Sequence, residues 1–136
     1  MRGVADTLHA LKRNQEAIVA YSALLKYCQS ALGDSDPNTA RAYAEVASSY
    51  SVLGEGGMVM SLEYHKKALA ARLKCLPDDH KDITESMLLT AYSHFQLGQY
   101  REALGLVNKV LARGPSALDE QARAFKAACL NAMKKR

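Results

Sequence analysis

The groups that could do chemistry in this chain are few and scattered. His9, His65, His80 and His94 stand far apart, with no adjacent nucleophile, no HExxH spacing and no paired carboxylates on one helical face. No glycine-rich phosphate loop is present. Cys28, Cys75 and Cys129 are odd in number and lack CxxC or Cys/His spacing. Each falls on or near an apolar helical stripe, so buried, reduced thiols are expected. His80 stands in a linker turn, where a capping or solvated role fits better than catalysis. The expectation is a protein that is not an enzyme, with no metal and no cofactor.

Charge narrows the partner only a little. The formal balance is +4, and the visible cluster is Lys134-Lys135-Arg136, with Arg123 and Lys126 upstream. Cations at a helix end complement its dipole. The same residues motivate the alternative function, a helical-repeat protein that binds RNA or another nucleic acid through a basic C-terminal helix. The composition, half apolar and a quarter charged, is that of one ordinary folded domain. Met1-Arg2-Gly3-Val4-Ala5-Asp6 has no apolar leader, and the longest uncharged run, Ser86 to Tyr100, is too short for a membrane span. An intracellular, cytoplasmic protein without membrane insertion is expected.

What would position any site is a set of helices. Ala, Leu, Lys, Glu and Gln dominate, Val and Ile are scarce, and apolar residues recur at helical spacing. Seven helices are predicted, all-α. Val4, Ala5, Leu8 and Leu11 make a short first one. Ala17, Ile18, Tyr21, Leu24, Leu25 and Cys28 make a second, ending at Leu32-Gly33. Asp36 caps a third, with Pro37 at its first position. A loose turn, Gly54-Glu55-Gly56-Gly57, precedes a fourth helix from about Met58, where Glu63 and Lys67 can pair at i, i+4. Leu76 to His80 ends it and caps the fifth. Gly98, expected at positive φ, joins the fifth to the sixth, with Tyr100 plugging the joint and Ala103 allowing close approach. Arg113-Gly114-Pro115-Ser116 stops the sixth, and Ser116 caps the seventh.

The helices repeat. Ala17, Ser61 and Ala103 hold matching frames, 44 and then 42 residues apart. The same offsets relate Tyr21, His65 and Val107, and also Leu24, Ala68 and Val110. In the helices before them, Ala47 matches Ala91, Tyr50 matches His94, and Gly54 matches Gly98. Packing therefore explains His65 and His94. The units resemble tetratricopeptide repeats, best in Ala91, Gly98, Tyr100, Ala103, Val107, Val110 and Pro115. The linkers 31–40 and 75–83 look like those of the extended kinesin-light-chain type of repeat.

That resemblance implies a single domain over 1–136: an α-solenoid of about three antiparallel helix pairs (about 1–35, 36–78 and 79–115) with a C-terminal capping helix over 116–136, coiled as a right-handed superhelix. It also implies a protein–protein interaction module, an adaptor or assembly subunit that holds a protein or peptide segment on its concave face. In the family frame that face takes Arg41, Ala44, Glu45, Ser48 and Val52, then Glu85, Leu88, Leu89, Tyr92 and Gln96. The last helix adds Asp119, Ala122, Arg123 and Lys126, and the first adds Asp6, His9 and Ala10. Leu88, Leu89 and Tyr92 extend the apolar arc of their helix beyond one core and are the expected anchor. The clamp for a C-terminal carboxylate used by some relatives is absent, since Ala44, Ser48, Leu88 and Tyr92 occupy its positions. A place in a larger complex, or a homodimer through the ends, is compatible with so short a stack.

Overall fold

The computed structural model of the chain describes residues 2–53, 55–113 and 118–134, the side chains of 2–12, 14 and 55 excepted. The chain is all-helical, with six helices and no strand among the described residues. They are α1 (Arg2–Leu32), α2 (Pro37–Tyr50), α3 (Glu55–Cys75), α4 (Lys81–Gln96), α5 (Tyr100–Ala112) and α6 (Asp119–Lys134). Each packs against the next in chain order.

Local chemistry sets most of the boundaries. Gly33, at φ 88°, closes α1 by donating its N–H to the carbonyls of Cys28 and Gln29. The Asp36 carboxylate accepts from the Asn38 N–H at 2.8 Å, and Pro37 opens α2, as expected from their order. His80 caps α4, its Nδ1 accepting from the Asp82 N–H at 3.0 Å. Gly98 lies at φ 78°, and the pair of bonds Gly98 N–H to Phe95 O and Gln99 N–H to His94 O forms a Schellman end to α4. Tyr100 meets Phe95 edge-on across that joint, ring centres 5.1 Å apart.

Two expectations about helix bounds are corrected. The first pair of predicted helices is one helix, so the count is six rather than seven. Lys12-Arg13-Asn14-Gln15 contains neither Gly nor Pro, and a reversal there would force a side-chain-bearing residue into the left-handed region at about 1–2 kcal/mol. The second correction concerns Gly56 and Gly57. They belong to the first turn of α3, which begins at Glu55 rather than near Met58. Gly57 is buried against the end of α2, where an added Cβ would lie 2.1 Å from the Tyr50 carbonyl oxygen. The glycine is there for close approach, not for a loose turn. Gly54, Gly114, Pro115 and the expected Ser116 cap fall outside the described residues.

The interior has two parts. Leu25, Ala42, Tyr43, Val46 and Ala68 join α1, α2 and α3, with Tyr21, Tyr50 and Tyr64 packed around them. Tyr50 stacks on Tyr64 at 5.8 Å, and Lys67 sits over the Tyr43 and Tyr64 rings rather than pairing with Glu63, which meets Lys66 instead. The second part holds Ile83, Met87, Ala91, Ala103, Val107, Val110, Ala122 and Cys129, from α4, α5 and α6.

Arg113, just past α5, ties that second part to the α3–α4 linker. Its Nε donates to Thr84 Oγ1 at 3.0 Å, and its Nη2 donates to the carbonyl oxygens of Asp78 and His80. Arg113→Met keeps the aliphatic stem and removes every one of these donors. It is expected to cost about 1.5–3 kcal/mol in urea unfolding, and a loss below about 0.5 kcal/mol would show that the clasp carries no weight.

Candidate functional site

Helix spacing sets the candidate site. On α2, Arg41, Ala44, Glu45 and Ser48 fall at i, i+3, i+4 and i+7, and on α4, Asp82, Glu85 and Leu89 do nearly the same. The two stripes face one another. Together with Arg72 from α3 they line one groove of about 320 Å³. Arg41, Ser48 and Glu85 are exposed at its lip, while Ala44, Glu45, Asp82 and Leu89 are half-buried.

Arg72 forms its floor. The side chain is buried, and Nη1 donates to Ser86 Oγ at 2.5 Å and to the Asp82 carbonyl at 3.3 Å. Both acceptors are neutral, and no carboxylate lies within ion-pair distance of this guanidinium among the described residues. Burial, and secondarily the charge of Arg72, pushes the His65 imidazole down to about 4. His65 is therefore neutral at physiological pH. Burial raises the Tyr43 hydroxyl and, at the far end of the molecule, the Cys129 thiol. A thiol held in its protonated form is a poor nucleophile or metal ligand. Among the described residues, no group of three or more His, Cys, Asp or Glu side chains could hold a metal ion.

The structure gathers Arg41, Ala44, Glu45, Ser48, Glu85 and Leu89 into one place, and Leu88, Tyr92 and Ala122 lie elsewhere. Leu88 is half-buried and packs against the second core part. Tyr92 is half-exposed, and its ring lies 6.2 Å from Phe125 of α6, which also contacts Phe95 at 5.3 Å. These three apolar candidates of α4 thus have three different surroundings. Ala122, expected on the wall, is fully buried with Cys129 one heptad on, since this is the face that α6 turns to the core. Arg123 is exposed and Lys126 half-buried on α6. The side chains of Asp6, His9 and Ala10, together with Lys135 and Arg136, fall outside the description.

Arg72 was not expected here. Its spacing from His65 and Ala68 puts it on the buried stripe of α3, and a lone Arg on such a stripe is the signal that would have found it. Neither a model of a known protein family nor any curated protein matches the chain. No described helix is long and apolar enough to cross a membrane.

A second groove, of about 510 Å³, runs between α1 and α2, lined by Tyr21, Leu24, Tyr27, Cys28 and Leu32 on one side and Asn38, Ala42, Arg41 and Glu45 on the other. It is more apolar than the first. Arg41 and Glu45 form a shared rim.

Proposed function

We propose that the chain is a non-catalytic protein–protein interaction module built of tetratricopeptide-like helical pairs, which holds an extended partner segment in the α2–α4 groove. The observation that carries this reading is the meeting of Arg41, Glu45 and Ser48 with Glu85 and Leu89 in a single cleft floored by Arg72. The α2/α3 and α4/α5 hairpins, with α6 packed on the last of them, support the reading of stacked helical pairs.

The chemistry suits a peptide better than a small molecule. Arg72 is already half-satisfied by neutral oxygens and offers its remaining donors to a carbonyl or carboxylate. Arg41 and Glu45, one helical turn apart on α2, and Glu85 of α4 put both signs of charge on one groove, a pattern that orients a polar segment rather than extracting it from water. Leu89 supplies the apolar contact. Leu88 is half-buried against the second core part, so replacing it would report on folding as well as on binding.

The test reverses two exposed charges. In affinity capture from cell extract followed by mass spectrometry, Arg41→Glu with Glu85→Arg is expected to lose the wild-type partner, with at least a tenfold drop in affinity for the partner once purified. Circular dichroism should show unchanged helicity. A partner held equally well by the double variant would remove this groove as the site.

A further inference from the structure

We propose that the first half of α1 is an arm exchanged between two copies of this chain, each arm lying in the apolar α1–α2 groove of the other. The inference stands on the repeat register and on burial and does not need the α2–α4 groove to hold a partner, although Arg41 and Glu45 border both grooves.

Three repeat columns show what is missing. In α3, Ser61, His65 and Ala68 are buried, and in α5, Ala103, Val107 and Val110 are fully so. The helix that covers them is the one immediately before in the chain, α2 for α3 and α4 for α5. The matching residues of α1 are Ala17, Tyr21 and Leu24. Ala17 and Tyr21 are only half-buried, and Leu24 is 47 % exposed. Tyr27 and Leu32, further along the same groove, are 68 % and 46 % exposed. A face that is closed in two copies of the unit is open in the first.

The segment with the pattern to close it lies in the same chain. Counting back by the 86 positions that separate Ala103 from Ala17, Ala5 holds the frame of Ala91, Leu8 that of His94, and Lys12 that of Gly98. Val4, Ala5, Leu8 and Leu11 carry the apolar periodicity of a covering helix. At Lys12, however, no glycine permits the reversal that Gly98 makes at φ 78°, and α1 continues unbroken. Its 31 residues span about 46 Å, against about 21 Å for the 14 of α2, so its first half has no length of α2 to lie along. A helical arm that cannot turn back onto its own groove can still fill the groove of a second molecule, the usual route to an exchanged dimer.

The area is sufficient. Each arm of about a dozen residues makes a strip near 18 Å by 10 Å. Two arms and two grooves give four such strips, on the order of 1,000 Å² once side-chain relief is included, the lower size of a specific interface. The contact is isologous, as a two-fold dimer requires.

Light scattering on the full chain tests this. At about 50 μM the 14.8 kDa chain is expected at twice its mass. Leu24→Asp, at an exposed position, should weaken the dimer by about a hundredfold or more without loss of helicity. A flexible Gly-Asn-Gly-Ser insertion after Arg13 should let the arm fold back in cis and give a folded monomer. A monomeric wild type, a dimer indifferent to Leu24→Asp, or a dimer untouched by the insertion would each overturn the exchange.

Discussion

Gly57→Ala is expected to destabilise the protein by about 2–3 kcal/mol, whereas Gly56→Ala, one residue earlier in the same helical turn, stabilises it by about 0.5 kcal/mol. Both glycines lie in the first turn of α3, and in an isolated helix both replacements would help by removing backbone entropy from the unfolded chain. What separates them is the neighbour. A Cβ at Gly56 meets nothing within 4 Å. A Cβ at Gly57 would stand 2.1 Å from the Tyr50 carbonyl oxygen and 2.9 Å from Leu53 Cβ. The first of these is main chain and cannot rotate away, so α3 must lift from the end of α2. The lift would also open the Tyr50–Tyr64 stack, which lies with its rings nearly parallel at 5°. Thermal unfolding should show Gly57→Ala lower by roughly 5–10 °C, with a weakened tyrosine signal in near-ultraviolet circular dichroism. If the two variants melt together, the close approach of α2 and α3 is not as the structure has it.

The same pair of glycines shows where sequence reading stops. Glycine beside glycine reads as a turn by local chemistry, and only the position of another helix reveals that one of them is a contact. Where the boundary is made by residues that satisfy their own backbone, the pattern was legible. Asp36-Pro37, His80 and Gly98 each cap or close a helix with bonds to residues two to five positions away. The continuous α1 was not legible from the repeat frame, which demanded a reversal near Lys12. The propensities of Lys12, Arg13 and Gln15 pointed the other way, and local propensity prevailed because no glycine or proline in that stretch breaks the helix.

For the candidate site, the division runs along the helices themselves. Spacing places Arg41, Glu45 and Ser48 on one face of α2, and Glu85 and Leu89 on one face of α4, but whether two such faces meet is a matter of packing. Here they meet in one groove. Leu88, Leu89 and Tyr92 cover too wide an arc of α4 to share a fate: one enters the core, one lines the groove and one rests near Phe125. That partition depends on where α6 lies, and α6 is more than twenty residues away in sequence. Arg72 escaped notice for the opposite reason. Charge marks a residue as solvent-facing unless its neighbours on the stripe are weighed first.

Lowering the pH from 7 to 4 is expected to cost the wild-type protein about 3 kcal/mol more than it costs His65→Val. His65 is buried, and its imidazole is pushed from 6.5 to about 4, first by burial and then by the charge of Arg72. The unfolded chain takes up a proton on this residue near pH 6.5, while the folded chain resists until about pH 4. Between those values the unfolded state binds more protons, so stability falls as pH falls, by up to about 1.4 kcal/mol per unit. Above pH 7 the residue is neutral in both states and contributes no slope. Below about pH 4 both forms are protonated and the loss is complete. Val is the apt replacement because Val107 fills the matching repeat position in α5, where it is fully buried, so the variant should fold and differ little from wild type at pH 7.5. Urea unfolding at half-unit steps from pH 7.5 to 4 separates the outcomes. Carboxylates contribute to both proteins alike and cancel in the difference, leaving a gap that opens between pH 6.5 and 4. Parallel curves would mean that His65 is not held neutral in the folded chain.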